Sequence, residues 1–494
     1  MNIWLKNGTV YDPANGIEGE KMDIFISGGK IVDEIKTESE ETTIIDAANK
    51  TVMPGGIDVH SHVATYGLNL TRFTFGFPTV NEIGYAYARM GYTYVNEPLM
   101  TLNTANYVHH ELSFIPVVDT SAFLVLSLYD MDREIREGAK GSVKNLILFL
   151  LDLTKSIGVK IYDARVKYAK QGFFYRDADE KKCLNFFYEM IKSEGEDLPQ
   201  IQLRTYPELL DENPSILSGF CLAHIASGMD NKERYETAMQ ILKNRGAIDL
   251  GIFCISPQED IAMRIGYEVP AGSENNFISM DIGLEKPLLF SKVKEKKKKI
   301  EDKRAYYSLK FALEALEYLN SSCISFSTDS PNGCLFTSYP KIFAGLLNSG
   351  KRKELTNEEL PDVEYSLYEL AAITRMNPAK QLGLRNKGHL GSGADADVAI
   401  YDIGEDTKAE ESEKRLSSCE YLLKGGEVVV YKGELNSDSG RVRKKRFYFE
   451  VGEKVLGKAK ERQREVIERV CNRRSFRAEH LRVDEWFISM SEGI

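Results

Sequence analysis

The chain has 494 residues, 43% of them hydrophobic, and a formal net charge of −10 at neutral pH. That length admits one large domain or two to three smaller ones. No apolar run reaches the ~18 residues a membrane span needs, and the acidic balance argues against general nucleic-acid binding. The seven cysteines are scattered without a CxxC pair, so neither a disulfide framework nor an iron–sulfur ligand set is expected. The N-terminus lacks a basic stretch followed by an apolar one; no secretory signal is expected, and a cytoplasmic location is.

In chain order, the first fifty residues read as a β-meander, with apolar alternation in Met22-Asp23-Ile24-Phe25-Ile26 and Lys30-Ile31-Val32 joined by Ser27-Gly28-Gly29. Short apolar runs then alternate with helical patterns, as in a parallel sheet built from βαβ units. Strands are expected at 57–59, 93–95, 122–126, 159–162, 201–203, 220–223, 247–250 and 324–327. Eight such runs suggest a closed (β/α)8 barrel with its chemistry at the C-terminal strand ends. A second strand set follows in Asp397-Val398-Ala399-Ile400-Tyr401 and in a hairpin over 421–431 turned by Gly425-Gly426. The expected division is therefore a β-sandwich domain made of residues 1–53 and 385–437, a barrel over 54–384, and a charged, partly helical extension over 438–494. In that extension 454–470 shows helical apolar spacing. Two basic tracts, 292–299 and 441–446, are expected on solvated or subunit-contact surface.

Four features can carry chemistry. His60-Ser61-His62 follows an apolar strand, and residues i and i+2 of an extended chain point the same way, so both imidazoles can reach one cation such as zinc. Lys160 sits among β-branched and aromatic residues; it reads either as an edge lysine or as part of a site. His224 ends the run Phe220-Cys221-Leu222-Ala223, where a core or helix-capping histidine is the alternative. Cys221 is left out, since positions i and i+3 of a strand face opposite sides. Asp329 follows Ile324-Ser325-Phe326-Ser327-Thr328; it either caps the next turn or accepts a proton beside a metal as the catalytic carboxylate.

These residues come in the order an amidohydrolase site requires: His-x-His on strand one, Lys on strand four, His on strand six, Asp on strand eight. Flanking segments extend the match. Pro54-Gly55-Gly56-Ile57-Asp58-Val59-His60-Ser61-His62-Val63, Val108-His109-His110-Glu111-Leu112-Ser113, Ser327-Thr328-Asp329-Ser330-Pro331-Asn332 and the stretch from Lys387 to Asp397 resemble the A subunit of formylmethanofuran dehydrogenase, from about Ile3 to about Tyr431. The resemblance implies one or two zinc ions held by His60, His62, Lys160, His224 and Asp329, with Lys160 carboxylated by CO2 into a carbamate ligand. It implies Arg72, His109, His110 and Asn332 as substrate contacts, although a salt bridge for Arg72 and a packing role for the two histidines are the plain readings.

The family reaction so implied belongs to methanogenesis and one-carbon metabolism: formate, made at a molybdenum or tungsten centre of a molybdopterin partner subunit, is condensed with the amine of methanofuran, or the amide is hydrolysed. One departure stands out. Where the family carries a pair of histidines on strand five, this chain has Gln202 and Arg204, and Arg204 should disfavour a neighbouring cation. A catalytically degenerate structural subunit of the same complex, and an independent cyclic amidohydrolase of the dihydroorotase or hydantoinase kind, are the rival readings.

Overall fold

The computed structural model describes residues 2–35, 42–64, 79–126, 131–161, 180–252, 262–268, 277–283, 295–330, 333–353, 355, 358–404, 406–436, 442–458, 468, 481–483 and 491–493. The N-terminal strands are β1 (Asn2–Asp12), β2 (Ile17–Ser27), β3 (Lys30–Val32), β4 (Thr42–Asp46) and β5 (Thr51–Pro54). Next come β6 (Gly56–Asp58), β7 (Tyr92–Met100), β8 (Asp119–Leu126), β9 (Gly158–Ile161), β10 (Ile201–Arg204), β11 (Cys221–Ala223) and β12 (Ala247–Asp249). A separate antiparallel pair, β13 (Ala262–Glu268) and β14 (Phe277–Gly283), precedes β15 (Cys323–Ser325). The remaining strands are β16 (Val398–Tyr401), β17 (Tyr421–Lys424), β18 (Glu427–Tyr431), β19 (Glu434–Leu435), β20 (Arg446–Tyr448) and β21 (Ser491–Gly493).

Strands β6 to β12 and β15 pair in parallel, each with the next, and form the barrel wall. The ring closes just beyond the strand ends, where Ser61 bridges Ser330 and the His62 amide donates to the Ser330 carbonyl at 2.8 Å. All eight expected runs fall on these strands. β7 and β8 are longer than the apolar pattern suggests because Asn96, Glu97, Asp119, Thr120 and Ser121 are buried although polar. Pro54-Gly55-Gly56 admits β6 to its neighbour: a Cβ on Gly55 would stand 2.3 Å from the Thr93 hydroxyl, and one on Gly56 2.7 Å from the Tyr92 ring.

The two chain ends build one nine-stranded sheet, ordered β19-β18-β17-β16-β5-β1-β2-β3 with β4 beside β1. Its own core joins Ile3, Leu5, Ile24 and Ile26 from the start of the chain to Val398, Ile400 and Leu423 from the far end. The junction with the barrel is ionic and buried. Lys387 Nζ lies 2.6 Å from Asp119, 2.7 Å from Asp397 and 3.0 Å from Asp395, and Lys424 Nζ lies 2.8 Å from Asp119 and 3.2 Å from Asp397. The carboxylates of Asp119, Asp395 and Asp397 are close enough to share a metal ion, but the two lysines already supply the positive charge. Burial alone would neutralise these groups. The carboxylates nonetheless hold Lys387 well above the ordinary lysine value, and Lys387 and Lys424 hold Asp397 below the ordinary carboxylate value.

The segment after 441 corrects the expectation of a solvated basic tract. Arg446 is buried and donates to the His109 carbonyl at 3.1 Å, and Lys444 donates to the carbonyls of Ser113 and Ile115. Lys444 thus satisfies carbonyls at and just beyond the end of the helix Ala105–Phe114, where backbone acceptors lack helical partners, while Arg446 adds a donor to a carbonyl within it. Between them and Tyr448 the Thr120 amide donates to Lys445, and the Phe447 ring enters the barrel floor among Ile57, Tyr94, Phe123 and Leu382. Of the expected helix over 454–470, residues 454–458 are helical and nearly all the rest lies outside the described residues, as do the side chains of the basic tract 292–299.

Two stability outcomes follow. Phe447→Ala is expected to cost about 3–5 kcal/mol in urea unfolding, the range for deleting a buried ring. Asp397→Asn leaves Lys387 and Lys424 short of a partner and should cost about 3–5 kcal/mol at neutral pH. Because the Asp397 pKa is depressed in the fold, its contribution is complete above an unfolded value of about 3.9 and disappears as pH falls through the lower folded value. A thermal melting series from pH 7 to pH 2 should therefore show the two proteins converging in acid.

Candidate metal centre

Four barrel strands deliver the site residues from their C-terminal ends. His60 and His62 follow β6, Lys160 lies in β9, His224 follows β11 and Asp329 follows β15. His60 Nε2 is 3.0 Å from Asp329 Oδ1, His62 Nε2 is 3.2 Å from the same oxygen, and Lys160 Nζ is 3.3 Å from His60 Nε2. The His60 and His224 rings meet edge-on with centroids 4.8 Å apart. One donor atom each from His60, His224 and Asp329 falls within 4.8 Å of the others, close enough for a single ion to engage all three. His224 and Asp329 both take left-handed backbone, with φ of 38° and 49°. Such conformations cost about 1–3 kcal/mol and persist where surrounding structure imposes them. At His224 that structure includes Gly251, on which a Cβ would come within 2.3 Å of the His224 Cα.

Two buried carboxylates that the sequence reading missed stand behind the histidines. Glu97 faces His62 Nδ1 at 3.2 Å and accepts from the amides of Val63 and Ala64 at 2.8 Å, which fixes the chain after the His-x-His pair. Asp249 accepts from the His224 amide at 3.0 Å and from Ser327 Oγ at 2.8 Å, and lies 3.6 Å from His60 Nδ1. Both Nδ1 atoms therefore face acids while both Nε2 atoms converge on Asp329. Histidine ligands of metals commonly show this arrangement, the acid orienting the ring through its second nitrogen. His60 Nδ1 and Asp249 Oδ1 are buried without hydrogen-bond partners among the described residues. A cation at Nε2 would place the ring proton on Nδ1, facing Asp249, so the donor set fits a metal ion.

Burial, with the Lys160 charge, pushes His60 well down, and burial pushes His224 down to about 3. Both are neutral imidazoles, the form that binds metal. For His62 burial is outweighed by hydrogen bonds to Asp329 and Glu97, and its value rises to about 9. Burial lowers Lys160 to about 8 and raises Asp249 to about 7, whereas Asp329 is held well below the usual carboxylate range, the histidines overcoming its desolvation.

The Amidohydrolase family model matches residues 43–112 and 311–430, which carry the His-x-His and Asp329 segments. FwdA of Methanocaldococcus jannaschii is 29% identical over 88% of this chain and 89% of its own length. The A subunit of the formyltransferase/hydrolase complex of Methylorubrum extorquens is 28% identical over 87% and 88%. A chain of that complex, solved with methylofuran, superposes with a TM-score of 0.78 at 21% identity, covering 100% of this chain and 99% of its own. The chain resembles the A subunit of formylmethanofuran dehydrogenase along nearly its whole length. Its barrel is of the amidohydrolase type.

Within that amidohydrolase-type barrel, His60, His62, Lys160, His224 and Asp329 come together from positions 60 to 329. His109 and His110 do not join them, which corrects their expected substrate role. His109 is buried in the helix Ala105–Phe114 and bonds the Thr154 carbonyl at 2.9 Å, at the N-terminal approach to β9 and so at the opposite end of the strands from the cluster. His110 is half-exposed beside Glu111 and Phe114. Arg72 and Asn332 lie outside the described residues. Asp249 falls within the expected strand 247–250 and Glu97 two residues past the expected strand 93–95, and nothing local in the sequence marks either as part of a site.

In metal-free protein, histidine-selective NMR should find His62 protonated at neutral pH while His60 and His224 are neutral. Since the His62 pKa is raised in the fold, its contribution to stability is complete below about pH 6.5 and is lost as pH rises through about 9. His62→Gln should remove that part of the pH dependence of the melting temperature.

Proposed function

We propose that the chain is an A-type subunit of a formylmethanofuran dehydrogenase complex, condensing formate with the methanofuran amine to formylmethanofuran or catalysing the reverse hydrolysis. The observation that carries this reading is the convergence of His60, His62, Lys160, His224 and Asp329 in a chain similar over almost 90% of its length to FwdA and to the A subunit of the formyltransferase/hydrolase complex. His60, His62, His224 and Asp329 would hold zinc, with Lys160 as a further ligand once carboxylated by CO2. Bound zinc supplies Lewis-acid polarisation of the formyl carbonyl. Asp329 is the proton carrier: it takes the proton lost by the attacking group, amine in synthesis or water in hydrolysis, and returns it to the leaving group. Its carboxylate is ionised and positioned by two imidazoles, so it stays available as a base over the working pH range. Arg72 and Asn332 are the proposed substrate contacts. The partners in this reading are the remaining subunits of the complex, including a molybdopterin subunit that makes formate, in the cytoplasm.

The test is hydrolysis of a formylated methanofuran-type coenzyme by the chain assembled with its partner subunits. Asp329→Asn should lower the rate about 10²–10⁴-fold, the usual contribution of a general acid–base group, with assembly unchanged. An assembled wild-type complex with no turnover would instead make the chain a structural subunit. Ring-amide hydrolysis by the isolated chain would make it a cyclic amidohydrolase.

A further inference from the structure

Strand β10 lies between the strands that carry Lys160 and His224, and its register sets what each of its residues can contribute. Gln202 pairs with Lys160 on one side and Cys221 on the other, and Arg204 pairs with Ala223, next to His224. Gln202 is nevertheless turned away from the cluster. It lines a cavity of about 10 Å³ with Val59, Phe123, Cys221 and Leu382, room for one water, and its Oε1 has no partner among the described residues. Arg204 brings a permanent positive charge to the same height as the site, close enough to bear on both Lys160 and His224.

The donor set can be counted against what metal ions require. A tetrahedral zinc takes three protein ligands and an exchangeable one, or four protein ligands. His60, His224 and Asp329 can meet one ion, with His62 on the same Asp329 oxygen. A second dication about 3.5–4 Å away would need its own donors from the Lys160, β10 and His224 side. There β10 offers no donor, only the Arg204 guanidinium. Two dications and Arg204 would crowd positive charge around Asp329 and Glu97, in surroundings where Coulomb repulsion is weakly screened.

We infer that this site holds one divalent cation, and that Arg204 is a fixed positive charge standing where a second cation would otherwise be bound. The inference rests on the metal-dependent reading proposed above. Manganese(II) is the probe: the full-length chain is loaded, desalted and assayed for metal per chain, with electron paramagnetic resonance reporting coupling between ions. The wild type is expected to retain one manganese per chain with an uncoupled six-line spectrum. Arg204→His, which replaces the charge with a donor at the height of the site, is expected to retain more than one manganese per chain and to show spin coupling. Arg204→Leu alone, which needs no new ligand geometry, should tighten the single site about tenfold or more by removing the repelling charge. Two coupled ions in the wild type would overturn the inference while leaving a metal-dependent function standing. No retained ion in a folded wild-type chain would overturn both. An unchanged or weaker affinity in Arg204→Leu would overturn the role given to Arg204.

Discussion

Everything at the candidate centre depends on the closure of the barrel between its first and last strands. The His62 amide donates to the Ser330 carbonyl, and Ser61 bridges Ser330, so residues 60–62 and 329–330 become neighbours although 267 residues separate His62 from Asp329. Only with that seam closed can Asp329 Oδ1 receive both imidazoles. The seam in turn requires β6 to sit tightly against β7, which Gly55 and Gly56 permit because no side chain stands between them and Thr93 and Tyr92. A motif that reads as a turn is thus a close-packing device that sets the position of two ligands.

Behind the seam, acids hold the imidazoles in one orientation. Asp58 accepts the His60 amide and the hydroxyls of Tyr87 and Tyr339, Glu97 faces the outer nitrogen of His62, and Asp249 faces that of His60 while holding the His224 amide. Burying this much carboxylate is costly, and the cost shows in the raised values of Asp58 and Asp249. Two neutral imidazoles, His60 and His224, converging with the ionised Asp329 in a buried site form the donor set of a cation site rather than of a packed core.

The strand ladder was legible in the sequence because each barrel strand carries a short apolar run, and His60, Lys160, His224 and Asp329 were legible because each lies within or just after such a run. Glu97 and Asp249 were not, because nothing local distinguishes a buried acid from a solvated one until the barrel closes over it. His109 and His110 show the reverse error: adjacent histidines suggest a site, yet the helix carrying them directs His109 to the Thr154 carbonyl. Arg446 and Lys444 looked like solvated charges for the same reason. Their placement depends on carbonyls in and just beyond a helix more than 300 residues earlier in the chain.

The opposite end of the barrel explains why so remote a segment is built in. Lys387 and Lys424 bring the far half of the nine-stranded sheet onto Asp119 at the start of β8, and Lys445, next to Phe447, has its backbone amide on the other oxygen of that same carboxylate at 2.6 Å. Asp119 therefore ties the small sheet, the barrel wall and the floor plug together at one buried carboxylate. Truncating the chain before 442 would remove the Phe447 ring and the Lys445 amide together, so the segment 444–448 forms part of the barrel. The candidate site lies at one end of the strands, and the other end is filled by the Phe447 ring and closed by the ion pairs on Asp119.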